Sequence, residues 1–290
     1  MCAVGGANSM AEPVIHVSCI THLYPDETKV SICGLDFHVH KGEKVAVLGP
    51  SGAGKSTLLK HILGILVPTE GTVEVFGVDP AKHFDEIGKK IGMVMQDVEE
   101  QIIGPTVFDD LQFAPLNFGY SKQEAKELAD LILKRFRIEH LKNKLPQYLS
   151  GGEKRKVTLA SALVLSPEII ILDEPFAGLD PLTTDFYIDI LNEENKKRQA
   201  TIITTLHDVD IVPRIADTLY LMKLGGKLSN KGTPGEIFSK PGLLSEFNLR
   251  PPILSETFSG FVSPVPLTVP SARELLGRLN KRPSKESFGQ

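Results

Sequence analysis

The sequence predicts an α/β fold built around a phosphate-binding loop, and three observations carry that expectation. An apolar run, residues 45–48, leads into a glycine-rich turn and then into a helix-like run, residues 58–66. Further apolar runs at 91–95, 169–172 and 201–206 end against Gln96, Asp173 and His207. Short apolar runs of this length read as buried strands. Between them lies a polar, amphipathic helical pattern at 121–136, and strands that alternate with helices indicate an α/β layer.

The first turn is the most informative segment. Gly49, Pro50, Ser51, Gly52, Ala53, Gly54, Lys55, Ser56 and Thr57 fit the pattern G-x4-G-K-[ST]. The glycines let backbone N–H groups close around an anionic phosphate, and the helix N-terminus adds partial positive charge. Lys55 is placed to reach the β- and γ-phosphates, and the Ser56 hydroxyl to ligate Mg²⁺. A strand before the turn and a helix after it separate this reading from an ordinary glycine turn.

After the run 169–172 stand Asp173 and Glu174. A buried strand that ends in two acids is costly to build without a cation. The pair suits a Walker B arrangement, with Asp173 in the Mg²⁺ shell and Glu174 polarising water. The segment 149–157 opens a helix, with Ser150 available as its cap and with Gly151 and Gly152 leaving backbone amides open to an anion.

A Leu149-Ser150-Gly151-Gly152 signature between a phosphate loop and a Walker B strand resembles the ATP-binding-cassette (ABC) ATPases, over roughly residues 13–250. The resemblance implies a P-loop NTPase core of ABC type with an antiparallel β subdomain and an inserted helical subdomain. It implies ATP and Mg²⁺ as cofactors, and it assigns roles residue by residue. Gln96 corresponds to the glutamine that touches Mg²⁺ and water and senses a membrane partner. Asp180, in the segment 177–180, corresponds to the D-loop aspartate, and His207 to the histidine that contacts the γ-phosphate. Tyr24 corresponds to the aromatic that stacks on adenine. In such proteins Ser150, Gly151 and Gly152 of one molecule face the nucleotide held by the phosphate loop of another. A second ATPase subunit, identical or different, is therefore an expected partner.

The remaining chain permits this organisation. At 290 residues there is room for one nucleotide-binding domain with a helical insertion and an appendage, and each motif occurs once. A net charge of −4 gives no basic footprint, so nucleic acid is not an expected partner. Cys2, Cys19 and Cys33 lack metal-site spacing and suit a reducing compartment. No run approaches the roughly eighteen apolar residues of a membrane helix, and no signal peptide is legible; if the chain serves a transporter, as the resemblance implies, it is expected to dock on separate membrane subunits at the cytoplasmic face of the membrane.

Residues 1–12 read as a flexible tail, with Met1 and Met10 both available as starts. The span 14–47 is β-rich, with turns at Pro25 and Gly42, and 72–76 alternates as a strand. Together these are expected to form the antiparallel sheet. Ser121 and Glu124 have capping-box spacing. The extension 251–290 is rich in Pro and Ser, with a short helix from Ser271 to about Asn280 and disorder from Pro283. Leu275, Leu276 and Leu279 are its candidate dimer contacts.

One stretch narrows the class. Gln96, Glu99, Glu100, Gln101, Pro105, Thr106, Val107, Phe113, Pro115 and Asn117 resemble the ATPases of energy-coupling-factor importers, which take up cobalt, nickel or vitamins. Val98, where that group has proline, the Glu residues in place of Asp, and Ala114 in place of glycine depart from its pattern. The resemblance implies two further partners, an integral membrane coupling subunit and a small membrane substrate-binding subunit. Ile102, Ile103 and Phe108 are candidate anchors for a coupling helix, and equally candidates for the core. Other cassette classes stay open, as does a soluble, non-transport scaffold. DNA-repair cassettes need a long coiled coil between Gln96 and Leu149, and ribosomal ones carry two cassettes per chain. Neither feature is present here.

Overall fold

The computed structural model describes residues 12–240 and 242–280. The chain starts with four strands: β1 (Ile15–Leu23), β2 (Lys29–Ile32), β3 (Phe37–Val39) and β4 (Lys44–Leu48). Helix α1 (Lys55–Ile62), β5 (Glu70–Val75), α2 (Phe84–Ile87) and β6 (Ile91–Val94) follow. A helical stretch then runs through α3 (Val98–Gln101), α4 (Val107–Asn117), α5 (Lys122–Phe136) and α6 (Gly151–Leu163). Next come β7 (Ile169–Asp173), α7 (Pro181–Arg198), β8 (Thr201–Leu206), α8 (Val212–Ile215), β9 (Thr218–Met222) and β10 (Leu228–Gly232). Three helices close the chain: α9 (Pro234–Phe238), α10 (Ile253–Phe258) and α11 (Val269–Asn280).

Two sheets result. β1, β2, β3 and β5 make an antiparallel sheet, in which β3 pairs with the first half of β1 and β2 with the second. The larger sheet has the order β10-β9-β4-β8-β7-β6 and is parallel except for β10. Its parallel strands are largely apolar on both faces because both are covered, as parallel sheets require. Alternation divides the side chains between two cores. Val45, Val47, Ile169, Ile171, Ile203 and Tyr220 pack with α1 and the antiparallel sheet. Ala46, Leu48, Ile170, Leu172 and Ile202 pack with residues of α4 to α7.

The expected helical insertion is present between β6 and β7. α5 is held at its start by a capping box, with Glu124 N donating to Ser121 Oγ and Ser121 N to Glu124 Oε2. Arg135, near the end of α5, pairs with Glu193 and with the fully buried Glu194 of α7. An unpaired carboxylate at that depth would be costly, and the pair ties the insertion to the core.

Two expectations need correction and one needs extension. The helix after the phosphate loop ends at Ile62 rather than Leu66. Gly64 then takes φ +70°, and a Cβ there would lie 2.5 Å from Pro80 O, so the chain turns where only glycine fits. Cys19 and Cys33 are not separate thiols of a reducing compartment but a disulfide, with Cα atoms 4.3 Å apart. The β1/β2 ladder pairs Ile20 with Ile32, which sets these two residues side by side. The last helix starts at Val269, two residues before the expected Ser271.

The C-terminal segment is tied to the core. Asp210 Oδ1 accepts from Ile253 N at 2.8 Å, and Ser255 Oγ donates to Phe238 O at 2.8 Å. Leu276 is exposed and Leu275 half-buried. The side chain of Leu279, residues 1–11 of the expected 1–12 tail and the expected disorder from Pro283 lie outside the described residues.

A buried phenol links the two sheets. Tyr220 OH, on β9, donates to His38 O at 3.1 Å and accepts from His38 N at 3.3 Å, on β3. Tyr220→Phe leaves both backbone groups of His38 without that partner. It should cost about 1–3 kcal/mol in urea unfolding, because buried polar groups pay their full desolvation when orphaned; an unchanged midpoint would show that His38 is satisfied without the phenol.

Candidate nucleotide site

The carboxyl ends of β4, β7 and β8 lie together, because parallel pairing sets Leu48 beside Leu206, and Asp173 beside Thr205. In open α/β sheets this rim is where ligands bind. The phosphate loop leaves β4 there. Gly52 and Gly54 have φ of +76° and +102°, and Gly54 forms the N-cap of α1. A Cβ on Gly49 would lie 2.3 Å from Met222 O, so the loop also needs glycine where it passes β9. Lys55 is 5% exposed, and its Nζ donates to Gly49 O at 2.9 Å and Pro50 O at 3.0 Å, which spans the loop. Burial lowers the Lys55 pKa below its ordinary value, while Glu174 and Asp173 act in the opposite direction.

Two side chains from separate segments converge on the last of the two acids. His207 Nε2 lies 2.5 Å from Glu174 Oε1, and Gln96 Nε2 donates to Glu174 Oε2 at 3.3 Å. Glu174 itself has φ +49°, an uncommon conformation for a non-glycine residue that tends to mark sites under functional constraint. Ser51, Gly52, Gly54, Lys55, Ser56, Thr57, Gln96 and Glu174 line one cavity of about 320 Å³. A neighbouring cavity of about 500 Å³ is lined by Ser56, Gln96 and Asp173 among others. A hydroxyl, an amide and a carboxylate are hard oxygen donors, and this set suits Mg²⁺, which takes few protein ligands and keeps the rest for phosphate and water.

Tyr24 OH is 2.9 Å from Thr57 Oγ1, which places the aromatic at the start of α1, within reach of a nucleotide held by the loop. His22 packs edge-on against Tyr24 with centroids 4.5 Å apart. Ser150, Gly151, Gly152 and Asp180 are not among the residues lining either cavity. Ser150 caps α6, where Glu153 N donates to its Oγ, and a Cβ on Gly151 or Gly152 would meet nothing within 4 Å. Asp180 caps α7 through Thr183, whose side chain and amide lower its pKa. The signature helix therefore leaves its N-terminus open and exposed, outside both cavities.

The structural roles of three residues escaped the sequence reading, although Gln101 is named there for its resemblance. Thr205 Oγ1 donates to Asp173 Oδ1 at 2.6 Å, and no motif marks it. Gln101 bridges Met95 N and Met93 O, which holds the strand end just before Gln96. Asp110, 6% exposed, accepts from Ile103 N, Gly104 N and Ser161 Oγ, and so ties the segment after Gln96 to α6. Each depends on strand register or helix packing rather than on local spacing. Of the candidate docking anchors, Ile103 is exposed, whereas Ile102 and Phe108 pack against the core.

Among the described residues no helix is long and apolar enough to cross a membrane. The ABC transporter family profile matches residues 32–177. The energy-coupling factor transporter ATP-binding protein EcfA of Methanocaldococcus jannaschii is 46% identical over 79% of this chain and 82% of its own length. Among solved structures, CbiO1 of Clostridium perfringens, described as part of the ABC transporter complex CbiONQ, is 35% identical with a TM-score of 0.70, over 85% of this chain and 99% of that one. An ATP-binding cassette solved as a dimer in a post-hydrolysis state with ADP and phosphate is 26% identical with a TM-score of 0.68, over 76% of this chain and 98% of that one. A phosphate loop, two acids at a strand end, a glutamine and a histidine on one rim, together with these likenesses, place the chain in the ABC transporter family, as an ATP-binding, ATP-hydrolysing subunit.

Proposed function

We propose that this chain energises uptake through an energy-coupling-factor importer, as one of two ATPase subunits docked on a membrane coupling subunit with a small substrate-binding subunit, at the cytoplasmic face of the membrane. The cargo class is a metal ion such as cobalt or nickel, or a vitamin. In this reading residues 13–250 form the ATPase domain and 251–290 an extension. The observation that carries the importer class is the stretch between Gln96 and Asn117, supported by the relative named as an energy-coupling-factor ATPase. Ile103 and Phe113 are exposed and line a cavity of about 220 Å³ between β6 and the helical insertion, which suits the apolar face of a partner helix.

The roles follow from geometry and charge. The phosphate-loop segment 49–57 cradles the phosphates with its amides, and Lys55 neutralises the β- and γ-phosphates. Tyr24 stacks on adenine. Ser56, Asp173 and Gln96 would hold Mg²⁺, which neutralises charge on the phosphates. Glu174 accepts the proton of the attacking water or orients it, with Gln96 and His207 setting the direction of its carboxylate. Ser150, Gly151 and Gly152, with Asp180, complete the site of a second subunit. ATP then holds two subunits together, and its hydrolysis removes the contact that links them, which converts nucleotide chemistry into motion of an attached protein.

Glu174→Gln should lower turnover by about 10²–10⁴, the size expected for loss of a general base, while retaining an ATP-bound dimer. Purified with Mg-ATP from detergent-solubilised native membranes, the same variant should bring with it a coupling protein and a small membrane protein, identified by mass spectrometry. Recovery of soluble partners alone would remove the transport claim, and near-normal hydrolysis would remove the assignment of Glu174.

Lys55 supplies a pH prediction. Its pKa is lowered by burial, and bound phosphates, which favour the ammonium, should raise it. Between those two values binding takes up a proton. ATP affinity should therefore be flat below the lowered value and fall with rising pH above it, by at most about tenfold per pH unit. Lys55→Arg, charged throughout, should show no such fall. A calorimetric titration series that falls equally for both proteins would assign the effect to another group.

A further inference from the structure

We infer that Thr205 is the positioning residue of the hydrolytic site, acting through Asp173 and Glu174. The inference rests on the assignment of those two acids proposed above. Thr205 lies in β8 with no exposed surface, beside Asp173 in the parallel ladder. One hydroxyl serves both acids. Its proton goes to Asp173 Oδ1 at 2.6 Å, and its oxygen accepts the backbone N–H of Glu174 at 3.0 Å.

The second bond has a particular task. Glu174 has φ +49°, in the left-handed region that a residue with a Cβ rarely adopts. The backbone turns there just after the strand, and that turn aims the carboxylate toward Gln96 and His207 rather than along the sheet. The hydrogen bond from the Glu174 amide to Thr205 Oγ1 fixes the turn, and the one from Thr205 to Asp173 fixes the neighbouring carboxylate, whose other oxygen is left for a cation. A single side chain thus sets the relative orientation of the two acids, the orientation that catalysis by positioning requires.

The bland alternative is a core threonine that has found partners. Thr204 is that case: it is equally buried, and its hydroxyl makes one contact, 3.3 Å to the backbone oxygen of Thr205. The two neighbours provide a matched comparison. Their side chains face opposite sides of the sheet, as successive residues of a strand do, and only the second reaches the rim chemistry.

Thr205→Val is nearly isosteric and removes both bonds. It should lower kcat about ten- to a hundredfold, the range set by losing one oriented buried hydrogen-bond partner, and leave KM for ATP within about twofold. It should still form the ATP-dependent dimer on gel filtration and hold it longer than the wild type, because hydrolysis is what releases it. Thr205→Ser should restore kcat, and Thr204→Val should change neither constant. The inference is overturned if Thr205→Val keeps kcat within twofold, if Thr205→Ser is as slow as valine, or if Thr204→Val and Thr205→Val fall alike. Glu174→Gln measured in parallel separates the levels: an inactive Glu174→Gln beside a normal Thr205→Val sinks only this inference, whereas a normal Glu174→Gln sinks the assignment beneath it.

Discussion

Parallel pairing of β4 with β8, and of β8 with β7, is the constraint on which the rest of this molecule depends. Parallel strands deliver all their carboxyl ends to one rim. The phosphate loop after Leu48, the acids after Leu172 and the histidine after Leu206 thereby meet although they are far apart in the chain. The interior of these strands is largely apolar on both faces, so slippage would cost core burial on both sides and is strongly resisted. The chemistry at the rim inherits its precision from the packing below it.

The two faces of that sheet do different work. One is covered by α1 and the antiparallel sheet, which carries Tyr24 to the start of α1 and is stitched to the core by Tyr220 and to itself by the Cys19–Cys33 bridge. The other is covered by the helical insertion, which leaves the N-terminus of α6 open and exposed. The insertion is not loosely attached. Arg135 with Glu194, and Asp110 with Ser161, fasten it to α7 and to the segment that follows Gln96. Directional polar contacts through Asp110 thus join the segment after Gln96 to α6, alongside the apolar packing around them.

Much of this was legible from the residues. The phosphate loop, the acid pair and the capping box of Ser121 and Glu124 are local patterns whose meaning lies within a few positions, and the fold reproduces them. What was not legible is contact across registers. Nothing in the spacing of Cys19 and Cys33 announces that β1 and β2 pair there, and nothing local separates Thr205 from Thr204. Asp210 looks like one more acid after His207 until the chain returns with Ile253 to be capped by it. The helix after the phosphate loop stopped early for the same reason, since the crowding of Gly64 comes from Pro80 in a different part of the chain.

The central claim is that one chain holds only half of each hydrolytic site. It is tested most directly by mixing two inactive proteins, Lys55→Ala, which keeps its signature helix, and Gly151→Asp, which keeps its phosphate loop. If the site is shared between two subunits, each is inactive alone and mixing restores ATP hydrolysis, because one interface of the mixed dimer unites an intact loop with an intact signature. If Gly151→Asp hydrolyses ATP by itself, or if the mixture never exceeds the sum of its parts, the site lies within one chain and the account is wrong.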